Sequence, residues 1–92
     1  MDIQWLFDVI EDRKKNPSEK SYTTSLFKEG LPKIAQKVGE EGTEVVVAAL
    51  SQSDERLIEE VADLTYHVLV LLSARGLTPA DVVAELEKRH RK

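Results

Sequence analysis

Two acidic clusters interrupt otherwise apolar segments of the chain: Glu40-Glu41-Gly42-Thr43-Glu44 and Glu59-Glu60-Val61-Ala62-Asp63. On a helix turning about 100° per residue, Glu41 and Glu44 lie about 60° apart, as do Glu60 and Asp63. Each i, i+3 pair therefore projects from one side over a single turn. Packing the two segments antiparallel would bring four carboxylates together. Without a cation such a group repels itself and forces some members to hold protons. A hard divalent cation relieves this, and oxygen donors with no Cys or His in the set suit Mg²⁺ or Mn²⁺ better than zinc. The ordinary alternative is that acid-rich helix faces are simply solvated in a chain with 17 Asp and Glu. Equal spacing on two adjacent apolar helices raises the metal reading to the same footing as the solvated one, and both stand on the residues alone.

Other residues near these acids carry two readings each. His67, four residues after Asp63, falls on the Glu60 face and can reach a ligand there, or can be a satisfied core histidine. Lys33 and Lys37, one turn apart, suit a phosphate contact, or an ordinary ion pair of Lys37 with Glu41 or Glu44. Gly39 and Gly42 each cost about 1 kcal/mol in a helix interior relative to alanine. A close approach by a neighbouring helix or ligand is the expected compensation. Trp5 and Tyr22 read as core or dimer contacts.

The elements that must position these groups are helices. Ile3, Leu6, Phe7 and Ile10 form a stripe at helical spacing after a capping Asp2, predicting a helix over about 3–13. A polar loop from Asn16 to Ser21 leads to a short helix near Thr23 to Glu29, closed by Gly30. Pro32 opens a long helix to about Leu50, with Leu31, Ile34, Ala35, Val38, Val45 and Ala49 on one face. Ser53 caps the next helix, which carries Asp54 and Glu55 in its first turn and runs to about Ala74. Gly76 stops it, and Thr78-Pro79-Ala80-Asp81 opens a last helix with a capping box. Leu64, Val68, Leu69, Val70, Leu71 and Leu72 cover nearly the whole circumference of the fourth helix. This predicts a dimer built around that segment.

Composition sets the outer bounds. Ninety-two residues form one domain, 1–92, and a chain this short is expected to lean on a partner or metal for stability. Zero cysteines exclude disulfides, thiolate sites and cysteine nucleophiles. A net charge of −4 argues against nucleic acid as partner. No signal-like segment is evident and no apolar run nears the roughly 20 residues of a membrane helix, so a cytoplasmic protein with no membrane association is expected.

Glu40-Glu41-x-x-Glu44, fifteen residues, then Glu60-x-x-Asp63 resembles the signature of the all-α nucleoside triphosphate pyrophosphohydrolases, the MazG-like superfamily. Ser21-Tyr22-Thr23, Phe27-x-Glu29-Gly30, Lys33-Ile34-x-Gln36-Lys37-Val38-Gly39-Glu40-Glu41, Ala62-Asp63-Leu64-x-Tyr66-His67 and Ala74-Arg75-Gly76-Leu77 narrow the likeness to the phosphoribosyl-ATP pyrophosphohydrolases of histidine biosynthesis. It spans about Leu6 to Leu86. Gly42 departs from the family pattern, where alanine is commoner, and leaves every acid in place.

This resemblance implies a dimeric, four-helix-bundle-like all-α fold that hydrolyses the α–β phosphoanhydride of phosphoribosyl-ATP with Mg²⁺. It implies Glu41, Glu44, Glu60 and Asp63 as metal ligands, Glu40 to orient or deprotonate the attacking water, and Lys37 to stabilise charge on the phosphoryl group. Lys33, Ser21, Tyr22, Thr23 and His67 are the expected substrate contacts, the hydroxyls and amides of 21–23 forming an anion-binding turn. The expected form stands alone, without a fused cyclohydrolase. A housecleaning nucleotide pyrophosphohydrolase and a non-catalytic dimerisation module are the alternatives. A redox di-metal bundle is disfavoured, because three residues after the cluster acids Glu44 and Glu60 stand Val47 and Asp63 rather than the histidine of its Glu-x-x-His motif.

Overall fold

The computed structural model describes residues 1–91. Its elements are α1 (Ile3–Lys15), α2 (Tyr22–Glu29), α3 (Leu31–Ser51), α4 (Asp54–Ala74) and α5 (Pro79–His90), with no strand among the described residues. None of these helices is long and apolar enough to cross a membrane.

Local chemistry accounts for the boundaries. The Asp2 carboxylate accepts from the Trp5 amide at 2.8 Å, starting α1. That helix outlasts its expected end by two residues, because the Asn16 amide still reaches Asp12 O at 2.7 Å and Arg13, Lys14 and Lys15 suit a helix C-terminus. Gly30, at φ +92°, ends α2 and turns directly into α3; a side chain there would be strained. Ser53 caps α4, accepting from the Arg56 amide at 3.2 Å. Both halves of the Thr78–Asp81 capping box form.

Helices α3 and α4, joined across Gln52 and Ser53, fold back on each other as the main packing unit. Helix α1 lies on α4, and α2 bridges α1 and α3. Phe7, Ile10, Leu26, Ile34, Leu69 and Val70 form the core where these four meet. At the far end, the Lys14 ammonium donates to Ser73 O at 2.8 Å and Ser73 Oγ donates to Glu11 at 3.2 Å, tying α1 to the last turn of α4. Helix α5 contributes no buried residue and leans on α1.

Three expectations about packing need correction. The Val68–Leu72 segment does not wait for a second copy: Leu69 and Val70 are 4% and 0% exposed within the single chain, and Val68, Leu71 and Leu72 are half-buried. The inward stripe of α3 is Ile34, Glu41 and Ala48, flanked by half-buried Val38 and Val45, while Leu31, Ala35 and Ala49 are exposed. Trp5 and Tyr22 are half-exposed rather than core. Apolar side chains left uncovered include Val46, Val47 and Leu50 of α3 and Ile58 and Val61 of α4, and also Ile3 of α1 and Val82, Val83 and Leu86 of α5.

Candidate active site

Seven residues make almost two full turns, so Ile34, Glu41 and Ala48 point the same way, into the α3–α4 interface. Glu41 is thereby a carboxylate at a core position, 6% exposed. Glu60 faces it from α4 at 5% exposed, and Asp63, one turn on, stands at the exposed rim. Oxygens of Glu41, Glu60 and Asp63 lie within 4.8 Å of one another. Glu41 Oε2 is buried with no hydrogen-bond partner. A buried acceptor in that state costs about 1–3 kcal/mol, more if charged, which marks it as a place for a cation or donor.

Glu44 stands exposed at the mouth, close enough to Glu60 to share a proton with it. That hydrogen bond, with burial and the like charge, raises the Glu60 carboxyl above the ordinary glutamate range against the pull of Arg56. The Arg56 Nη2 donates to Glu60 at 3.0 Å and its Nη1 to Glu59. Sequence reasoning missed Arg56. Its i, i+4 spacing to Glu60 was the available signal.

Lys37 lies on the opposite flank, with its ammonium 3.5 Å from Glu40 and 3.6 Å from Glu41. Burial pulls its pKa down, but Tyr22, Glu41 and Glu40 outweigh that and the net shift is upward. Glu40 itself is exposed and outside the Glu41–Glu60–Asp63 group. The Gln36 amide, donating at 2.9 Å, and then Lys37 hold its carboxyl below the usual range. Lys33 is half-buried on the same helix, and its charge also favours ionised Glu40.

Beside Lys37 sits an aromatic group. His67 is 5% exposed; its Nδ1–H donates to Asp63 O at 2.7 Å, leaving Nε2 to accept from the Tyr22 hydroxyl at 3.1 Å. The Tyr22 and Tyr66 rings stack with centroids 6.2 Å apart. The Tyr66 hydroxyl bonds Thr23 Oγ1, and burial raises its pKa. Ser21 Oγ accepts from the Thr24 amide at 3.1 Å, as the cap of α2. The Ser21 and Thr23 hydroxyls thus each make a bond within the fold, and of the three residues only Tyr22 is exposed. At Gly39 and Gly42 added Cβ atoms would meet nothing within 4 Å, so packing within this chain does not explain them.

Paired i, i+3 carboxylates on two facing helices of an all-helical chain fit the MazG-like superfamily of all-α nucleoside triphosphate pyrophosphohydrolases. Sequence comparison is more specific. The family model described as phosphoribosyl-ATP pyrophosphohydrolase matches residues 4–90. The phosphoribosyl-ATP pyrophosphatase of Sulfolobus acidocaldarius is 50% identical over 90 residues, covering 98% of this chain and 95% of that one. That of Clostridium botulinum strain Hall is 52% identical over 87 residues, 95% of this chain and 79% of the relative. The histidine biosynthesis bifunctional protein HisIE of Xylella fastidiosa Temecula1 is 52% identical over 83 residues, 90% of this chain and 40% of the longer relative. The chain belongs to the phosphoribosyl-ATP pyrophosphohydrolase family.

Proposed function

We propose that this chain hydrolyses the α–β phosphoanhydride of phosphoribosyl-ATP to phosphoribosyl-AMP and pyrophosphate in histidine biosynthesis, using Mg²⁺ or Mn²⁺ held by Glu41, Glu44, Glu60 and Asp63. The observation that carries the metal is the partnerless, buried Glu41 Oε2 beside oxygens of Glu60 and Asp63. An all-oxygen donor set of this kind fits a hard divalent cation. When bound, such a cation neutralises phosphate charge and makes water more acidic.

The chain's own residues supply the rest. Glu40, kept ionised by Gln36 and Lys37, orients the attacking water and accepts its proton. Water oxygen bonds to phosphorus, the bridging P–O bond breaks, and the bridging oxygen leaves with the other phosphate fragment. The Lys37 ammonium, held next to Glu41, offsets the charge that develops. Lys33 and Tyr22 contact the phosphoribosyl-adenosine part, and His67 fixes Tyr22.

The exposed apolar strip of Val46, Val47, Leu50, Ile58 and Val61 supports a homodimer through the α3–α4 hairpin. A purely structural dimerisation module would give Glu41 Oε2 no reason to lie partnerless inside. The deciding experiment incubates the protein with phosphoribosyl-ATP, ATP and deoxynucleoside triphosphates, with Mg²⁺ and with EDTA. Metal-dependent release of pyrophosphate, fastest from phosphoribosyl-ATP, is expected; faster release from ATP or a deoxynucleotide would overturn the substrate.

A further inference from the structure

A cleft of about 290 Å³ opens beside the acids, lined by Glu44, Val47, Gln52, Arg56 and Glu60. Its lining residues differ in sign. Glu44 and Glu60 are acidic, while Arg56 and Gln52 carry N–H donors. Without a metal, Arg56 serves as counter-ion to buried Glu60 at 3.0 Å and to Glu59.

Arg56 precedes Glu60 by one turn on α4, and Lys37 precedes Glu41 by one turn on α3. Because the two helices run in opposite directions, the cations bracket the acids from opposite ends. Lys37 lies toward Tyr22, and Arg56 lies toward the Gln52–Ser53 turn. A divalent cation held by Glu60 would take up part of its charge and so weaken the hold on Arg56. The planar guanidinium fork then suits phosphate oxygens well.

We infer that Arg56, assisted by Gln52, receives the pyrophosphate end of the substrate and retains the pyrophosphate product. This rests on the metal-dependent reading above and adds a direction to it. The nucleoside end lies toward Tyr22 and Lys37, and the leaving group lies toward the hairpin turn.

Calorimetric titration of pyrophosphate into wild type, Arg56→Gln, Arg56→Lys and Gln52→Ala, each with and without saturating Mn²⁺, tests the inference. Arg56→Gln is expected to weaken pyrophosphate binding at least tenfold with Mn²⁺ present, Arg56→Lys to recover part of it, and Gln52→Ala to lose a smaller factor. Helicity should be unchanged, since Arg56 is exposed. In a separate titration without pyrophosphate, Arg56→Gln should bind Mn²⁺ several-fold more tightly, as a competing cation is gone. Equal pyrophosphate affinities for wild type and Arg56→Gln overturn the inference, as does a wild type that takes up Mn²⁺ and binds no pyrophosphate. Failure of wild type to bind Mn²⁺ would instead defeat the metal reading and this inference with it, since the cation is what frees Arg56 from Glu60.

Discussion

The Tyr22 hydroxyl donates to Nε2 of His67 across 3.1 Å, and the same ring donates from Nδ1 to the main-chain oxygen of Asp63 at 2.7 Å. One buried imidazole thereby connects an outward-facing phenol on α2 to the turn of α4 that carries a site acid. Tyr22→Phe removes the donor and leaves Nε2 without a protein partner, at a cost of about 1–3 kcal/mol, toward the low end because Tyr22 is half-exposed to water. Urea denaturation should register that loss, and kcat/KM for phosphoribosyl-ATP should fall by more than the stability change explains. Wild-type turnover in Tyr22→Phe would remove Tyr22 from the substrate contacts.

The Glu44–Glu60 pair makes the metal-free protein sensitive to pH. The folded chain holds the Glu60 proton more tightly than the unfolded chain does, so this contribution to stability is full at low pH and is lost as pH rises through the raised value. Above the ordinary glutamate value of 4.5, EDTA-treated protein should therefore melt at lower temperature as the solution moves toward neutrality. Glu40 acts oppositely and only below that range, its carboxyl being held down by Gln36. Glu44→Gln should flatten the slope between about pH 5 and 7.5. An unchanged slope in the variant would assign the effect elsewhere.

Leu50, next to the hairpin turn, is 83% exposed, whereas Leu69 is inside the core. Lysine at these two positions should separate association from folding. Leu50→Lys is expected to sediment as a helical monomer, and Leu69→Lys to unfold, because a buried unpaired charge costs about 3–5 kcal/mol. A wild type that is monomeric at micromolar concentration would rule out the dimer.

Gly42 sits in the middle of α3 with open space where a Cβ would be. Alanine there should stabilise the helix by about 1 kcal/mol, which for a chain of this size is about 4–8 °C in Tm. Differential scanning calorimetry checks this. A stabilised variant with reduced kcat would indicate that substrate approaches the backbone at this turn.

Most element boundaries were legible because capping is local: Asp2, Ser53, Thr78 and Gly76 act on their own neighbours in sequence. The paired acids were legible for the same reason, since i, i+3 spacing needs no knowledge of the rest of the fold. What a helical wheel lacks is the identity of the neighbour. It could not tell that α1 and α2 cover Leu69 and Val70, so it assigned that apolar surface to a partner. Nor could it tell that Ala48 rather than Ala49 faces inward, a difference of one residue's rotation set by where α4 lies. Nor does the wheel show how deep Glu41 lies, which the packing of α4 against α3 decides. Ser21 and Thr23 looked like ligand donors because their bonds to the Thr24 amide and to Tyr66 depend on how α2 caps and docks.

The two-residue connection between α3 and α4 has a bearing on how the chain folds. These helices make the largest contact in the molecule over short sequence separation, so their pairing is the step with the lowest loop-closure cost and should come early. That same step brings Glu41, Glu44, Glu60 and Asp63 together before α1 and α2 have covered the core. Collapse of the hairpin is then opposed by mutual repulsion of these acids, and on the metal reading proposed above a divalent cation would lower the barrier by screening them. Refolding from urea should accelerate with Mg²⁺ in stopped-flow fluorescence or circular dichroism, and Glu44→Gln should refold faster than wild type in EDTA. The nascent chain would meet its metal as an aid to folding before using it on any substrate.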